Sequence, residues 1–336
     1  MPLIGSGIVP SGNVGNELVA VTRRAFVPKL VVQNLYKATP TLAAGLANAQ
    51  VASGGVSSIT VPVQGAPFVI AQATDYSGVF NQPTSLQGAF EADYNLKAVI
   101  VPIPFLGFEG IVQLNAAVIP LIEARMNDAG NAIAQYLSTQ LFTNATDQTV
   151  NIDGFPLIAA VTGTYGNINR STNTWWQGVV RASPTNTPTR ASVMHDIISN
   201  AKANGGEMPN IGVMAPGTWS KLQDDFLALE SYHITPGSNF ADTSGGARAA
   251  FTALQVGTVP IYMDADMTEG QLFLYNTRYD SFYIHEAAAF AFTGFASTLP
   301  NFQLGYVGAL VVVLEHVNVK PASVMQVTGY SAFNVV

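Results

Sequence analysis

Between Ala38 and Phe90 the sequence carries a single charged side chain, Asp75. In an average soluble protein roughly 25% of residues are charged. A stretch of 53 residues this neutral must fill a core or lie against another surface. It holds a strand pattern, "VSSITVPVQG", with apolar Val56, Ile59, Val61 and Val63 and a proline that suits a sheet edge. Residues 90–105, "FEADYNLKAVIVPIPF", read as the partner strand, and turn signals at Gly65, Gly78 and Pro83 lie between. The pattern predicts a long two-stranded excursion. An isolated hairpin is marginal in water, so a neighbouring subunit is the simplest surface for it to rest on.

The rest of the chain is almost as neutral. Only 10% of its 336 residues are Asp, Glu, Lys or Arg, while 48% are hydrophobic. A monomer normally covers itself with charge, so such a chain is expected to hide much of its surface against other chains. The net charge of −7 argues against general nucleic-acid binding, whose affinity comes from Lys and Arg on phosphates. There is no cysteine, so disulfides and thiolate metal sites are excluded. The start, "MPLIGSGIVPSGNVGN", has no basic segment followed by an apolar core, and so does not read as a secretory signal. No apolar run reaches the roughly 18 residues of a membrane helix, and the helical segments below do not fit an outer-membrane barrel.

Glycines and prolines punctuate residues 1–16, and a short helical run with a β-branched segment completes an arm of about fifty residues. The longest helical signal runs from Val112 to Phe142, with Leu114, Val118, Leu121, Ile122, Ala129, Ile133, Tyr136, Leu137 and Leu141 at spacings of three and four. Pro120 should kink it or begin its main segment. About 30 residues at a rise of ~1.5 Å would make a rod of roughly 45 Å. A Thr/Pro-rich link, "ASPTNTPTR", reads as a boundary, and "ASVMHDIISNAKAN" as an amphipathic helix stopped by Gly205 and Gly206. "NIGVMAP", "LQVGTVPIYMD", "GQLFLYN" and "DSFYIHE" are short strands, with a helix starting at "PGTW" among them. Residues 236–250 read as a mobile surface loop, and the tail supplies two more strands.

Nothing in this order nominates chemistry. His195, His233, His285 and His316 show no metal spacing, and "DADMTE" lacks the glycine and glutamate of a calcium loop. Phosphate-cradling, nucleophile-elbow and dinucleotide motifs are missing. The expectation is no catalytic residue, no cofactor and no metal. One loop stands out: "YGNINRSTNTWWQG" (165–178) sets Trp175 beside Trp176 in a polar stretch, with Arg170 and Arg181 as the nearby cations. Packing within the chain, an anchor at a subunit contact and a ligand platform are all open readings of the pair.

The order of parts resembles the major capsid protein of tailed bacteriophages, the HK-ninety-seven-type fold. Two stretches carry the likeness: "YGNINRSTNTWWQG" is similar to a loop after that family's long helix, and "VGTVPIYMDADMTEGQLFLYNTRY" (256–279) to its strand-turn-strand. The resemblance implies an α+β capsid fold. It would have an amino-terminal arm (1–50), an extended β-hairpin loop (51–105), and a peripheral domain with a long spine helix and β-sheet (106–189 and 286–336). An axial α/β domain (190–285) would complete it. It implies a non-enzymatic subunit that self-assembles into hexamers and pentamers of an icosahedral shell enclosing double-stranded DNA, assembled in the host bacterial cytoplasm and located in the virion. Trp175, Trp176, Arg170, Val61, Phe68 and Phe80 are then the candidate subunit-contact residues. Expected partners are copies of the chain, a separate scaffolding protein, a portal and a decoration protein, with no membrane. Some members of that family crosslink through a lysine in the extended loop; no lysine lies between Lys37 and Lys97, so no such crosslink is expected. The alternatives are an encapsulin-like compartment shell and a carbohydrate-binding surface protein using Trp175 and Trp176.

Overall fold

The computed structural model of the chain describes residues 40–53, 55–65, 88–106, 121–183, 187–227, 254–297 and 305–333. Of these, 99–106, 121–135, 288–297 and 305–312 belong to one compact unit and the remainder to a second, larger one. The chain enters through α1 (Pro40–Ala47) and β1 (Gln50–Ala52), forms β2 (Ser58–Gln64) and β3 (Ala89–Asn95), and continues as β4 (Lys97–Leu106). Helices α2 (Leu121–Thr143) and α3 (Phe155–Ala159) precede the small hairpin of β5 (Thr164–Tyr165) and β6 (Ile168–Asn169), then β7 (Val179–Ala182). Next come α4 (Arg190–Ala203), β8 (Ile211–Met214), α5 (Pro216–Leu227), β9 (Leu254–Val256) and β10 (Val259–Met263). The chain closes with β11 (Leu272–Tyr275), β12 (Asp280–His285), β13 (Ala291–Phe292), β14 (Ala296–Ser297), β15 (Gly305–Asn318) and β16 (Met325–Thr328).

The larger unit is built on a sheet ordered β7-β16-β11-β8-β10-β9. All four residues of β11, Leu272 to Tyr275, are buried, because both sheet faces are covered and the usual polar alternation is lost. Leu272 and Leu274 join Val193 and Ile197 of α4 and Trp219 and Leu222 of α5 in one core. Phe273 points the other way, 6.1 Å from the Phe142 ring and 5.7 Å from Phe155. Each such buried ring contributes about 1.5–3 kcal/mol relative to exposure. In the same unit β12 pairs in parallel with β1 and antiparallel with the end of β15. In the smaller unit β13 and β14 run antiparallel to the start of β15. There Ile103 and Ile133 are buried, and Arg125 Nη1 donates to the Pro104 carbonyl at 2.7 Å.

Local sequence explains most boundaries. Thr189 caps α4 by accepting from the Ser192 amide, while the Ser192 hydroxyl accepts from the Thr189 amide. At its other end Gly205 and Gly206 take φ of 76° and 95°, a region where side-chain-bearing residues are strained. "LQVGTVPIYMD", expected as one strand, is the antiparallel pair β9 and β10 turning at Gly257, whose φ is 63°. Two further expectations change. The long helix is described from Leu121, the residue after Pro120, and its 23 residues make about 35 Å at the usual rise; residues 107–120 lie outside the described residues. The expected single strand over 90–105 is two strands. β3 pairs with β2 from Ala89↔Gln64 to Asn95↔Ser58, whereas β4 pairs with β15. The break falls at Leu96, whose amide still reaches the Ser57 carbonyl at 3.0 Å, and Lys97 then turns inward to two carboxylates. The helical run in the arm, most of the hairpin loop and residues 236–250 lie outside the described residues.

Candidate functional site

The tryptophan loop starts from a tight hairpin. Gly166 and Asn167 link β5 to β6 with φ of 55° and 63°, the two positive values that a two-residue turn of matching twist requires. The turn aims Arg170 inward. Its guanidinium is fully buried and donates to the Leu157 carbonyl at 2.7 Å and the Ile158 carbonyl at 2.9 Å. Both carbonyls lie in the last turn of α3; Leu157 also accepts the Ala160 amide at 3.4 Å, and a cation at this end completes their bonding and suits the local dipole. The guanidinium also lies 5.0 Å from the Tyr165 ring centre. Burial lowers its pKa to about 10, which leaves it charged at neutral pH.

The two tryptophans separate in role. Trp176 is 2% exposed, its indole N–H donates to the Tyr165 carbonyl at 2.9 Å, and its ring stacks on Tyr165. Trp175 is only partly covered and lies 5.0 Å from Phe90 of β3. A Cβ built at Gly65 would collide with the Trp175 ring at 2.1 Å, so only glycine lets the base of the ribbon sit on the indole. An apolar groove of about 600 Å³ runs alongside, lined by Val61, Val63, Trp175, Tyr279, Lys320 and neighbouring residues. Of the six candidate contact residues, Trp175 and Val61 reach this groove with partial exposure, while Arg170 and Trp176 are buried within the chain. Phe68 and Phe80 lie outside the described residues. With Trp176 committed to the interior, the paired platform of the carbohydrate-binding alternative is not formed.

Close to this loop lies a group of buried titratable residues that belongs to no sequence motif. Lys97 Nζ is 3.1 Å from Asp153 Oδ1 and also contacts Glu315 Oε2. All three residues are less than 5% exposed. Glu315 Oε1 accepts the backbone amides of Asp153 at 2.8 Å and His316 at 3.0 Å. His316, fully buried, places Nδ1 2.7 Å from the Asp153 carbonyl and Nε2 2.9 Å from Asp280 Oδ1. Both ring nitrogens face acceptors, an arrangement that suits the doubly protonated ring. Phe282 stacks on that ring and Phe155 meets it edge-on. Burial would lower the His316 pKa; the Asp280 carboxylate, with help from the Asp153 carbonyl and Glu315, outweighs burial and raises it. Burial pushes Glu315 up to about 8, with the Asp153 charge adding to it, and raises Asp153 as well. Tyr94 and Tyr165 pack edge-on at 5.3 Å near the same cluster, and the Tyr165 hydroxyl accepts the Asn318 amide. A polar cavity of about 650 Å³ opens beside it, lined by Ser58, Thr60, Asp93, Lys97, Asp153 and Thr164 among others. The signal in the sequence was "VVVLEHVNV": two titratable residues inside an apolar strand, which only burial with partners can hold. Among the described residues no cluster of three or more acidic or histidine side chains is placed to hold a metal ion. No helix among them is long and apolar enough to cross a membrane.

The architecture is that of phage capsid shell subunits. The subunit of the cyanophage A-1(L) capsid superposes with a TM-score of 0.68 at 14% identity, covering 90% of this chain and 96% of that one. The capsid subunit of the native GTA particle gives 0.58 at 11% identity over 94% of this chain and 99% of its own. The encapsulin of Synechococcus elongatus gives 0.60 at 11% identity, covering 94% and 98%. The resemblance of the two loop sequences to the tailed-phage capsid fold is thus met by the three-dimensional fold. No family model matches the sequence, and no curated protein sequence does either.

Proposed function

We propose that this chain is the major capsid protein of a tailed phage, a non-enzymatic subunit that assembles into hexamers and pentamers of an icosahedral shell around double-stranded DNA. The observation that carries the reading is the extent of the likeness: it runs over 90% of this chain and 96% of the cyanophage subunit. The low charge and the two-stranded ribbon of β2 and β3, which joins neither of the larger sheets among the described residues, support it. In a shell the ribbon lies over the adjacent subunit, with Trp175 and Val61 at the seam; Phe68 and Phe80, between β2 and β3 in the sequence, are further proposed contacts. Arg170 and Trp176 act one step back, by fixing the loop that presents Trp175. At about 25 cal/mol per Å², a patch of roughly 800 Å² per partner gives ample gross stabilisation before ordering costs. Residues 1–50 serve as the arm, 51–105 as the extended loop, 106–189 with 286–336 as the peripheral domain, and 190–285 as the axial domain. A separate scaffolding protein, a portal and a decoration protein are the proposed partners; a phage G shell in the same fold is described together with decoration proteins. Assembly takes place in the host cytoplasm and the product resides in the virion.

An encapsulin-like compartment is the second reading, favoured by the likeness to the Synechococcus shell. Negative-stain microscopy and gel filtration of the full chain test both against a monomer: closed particles or capsomers are expected, and a persistent monomer would overturn the assignment. Particles that fill with DNA only when the phage packaging machinery is present favour the capsid, whereas particles that enclose a protein cargo favour the compartment.

A further inference from the structure

The Lys97, Asp153 and Glu315 cluster holds the parts of a covalent reaction that neither a shell nor a salt bridge requires. An amine and a carboxyl stand 3.1 Å apart, N to O, inside the protein. A second carboxyl touches the same amine and is itself fixed by two backbone amides. Positioning of reacting groups at about 3–3.5 Å gives effective molarities on the order of 10⁵–10⁸ M, which lowers the barrier to their reaction, and a buried site with little water favours condensation over hydrolysis. We propose that Lys97 and Asp153 join in an intrachain amide, with Glu315 as the proton shuttle.

One Nζ proton passes to Asp153, turning the ion pair into an amine and an acid, the form favoured where charge is poorly solvated. The Nζ lone pair attacks Asp153 Cγ and the new C–N bond forms. The bond from Cγ to the protonated oxygen breaks. Glu315 hands its carboxyl proton to that departing hydroxyl, which leaves as water, and Glu315 is refilled from Nζ. The products are a secondary amide, one water and an unchanged Glu315, with no oxidant or co-reactant. Burial raises both Asp153 and Glu315, so both carry protons more readily than free carboxyls. The polar cavity bordered by Lys97 and Asp153 receives the water. The bond would tie the start of β4 to the turn before α3, on a scaffold position held by β15.

Intact mass spectrometry of the denatured full chain tests this directly. The expected mass is one water below that of the sequence, and digestion should yield a branched peptide joining Lys97 to Asp153. Lys97→Arg, which keeps the charge, should restore the full mass. Asp153 is followed by Gly154, a pair that can also lose water by closing an imide. A deficit that survives Lys97→Arg therefore overturns the proposal, as does a wild-type chain at full mass or a branch at Glu315. Glu315→Gln should slow the loss of water by at least tenfold; an unchanged rate removes Glu315 as the shuttle. Should either variant fail to fold, the wild-type mass and its digest still decide whether the bond exists.

Discussion

Gly178 ends the tryptophan loop with no room to spare. A Cβ there would meet the backbone C, Cα and O of Ala159, each at 2.5 Å. Backbone cannot rotate away as a side chain can, so Gly178→Ala should destabilise by about 3 kcal/mol or more, read as a lower urea midpoint or loss of soluble chain. Arg170 poses the opposite problem. Arg170→Met would fill the space but orphan the buried Ile158 carbonyl, at about 1–3 kcal/mol, and leave Leu157 only its bond from the Ala160 amide. Arg170→Lys should fall between wild type and Met, because an ammonium cannot fork to both oxygens. His316 and Glu315 set a pH dependence. Both pKa values are raised in the folded chain, so the fold binds these protons more tightly than the unfolded chain does. The stability they contribute is complete below the unfolded values and is lost as pH rises through the folded ones. The melting temperature should therefore fall from about pH 4.5 to about 8 through Glu315, with His316 adding to the fall above about pH 6.5, and His316→Gln should flatten that upper part. A melting temperature independent of pH in this window would remove the paired imidazolium.

At the scale of elements, the neighbouring tryptophans should behave unlike each other. Trp176 is part of the interior, and Trp176→Ala should cost about 3–5 kcal/mol, seen as a large fall in the urea midpoint. Trp175 supports the ribbon through Phe90 and Gly65. Trp175→Ala should cost only about 1–2 kcal/mol of subunit stability yet increase hydrogen exchange in β2 and β3. Equal global losses from the two changes would contradict this division. Elements whose cause is local were legible in the sequence: α4 from its Thr189 cap and Gly205–Gly206 stop, and β8, β10, β11 and β12 from apolar runs between turns. Elements decided at long range were not. The break at Leu96 follows from the pull of Asp153 and Glu315 on Lys97, and Glu315 is more than two hundred positions away in the chain. The split between Trp175 and Trp176 was hidden for the same reason, since only the position of Tyr165 and Phe90 decides which indole goes inside.

For the whole molecule, the proposed shell role makes the ribbon of β2 and β3, whose base rests on Trp175 and Tyr165, the part to remove. Deleting residues 66–87, the segment between the described parts of β2 and β3, should leave a folded subunit with an unchanged circular dichroism melt and no closed particles in negative stain. Normal particles from that deletion would remove the ribbon from assembly. The order of strands in the larger unit has a further result. β16 pairs with β7 on one side and β11 on the other, so a strand at 325–328 is inserted inside a sheet, between neighbours synthesised long before. Until it arrives, β7 and β11 each present an open edge and the core around Met325 and Val327 stands empty. A polypeptide released early by the ribosome therefore has no finished sheet and an unfilled core, so a truncated product should be degraded rather than accumulate.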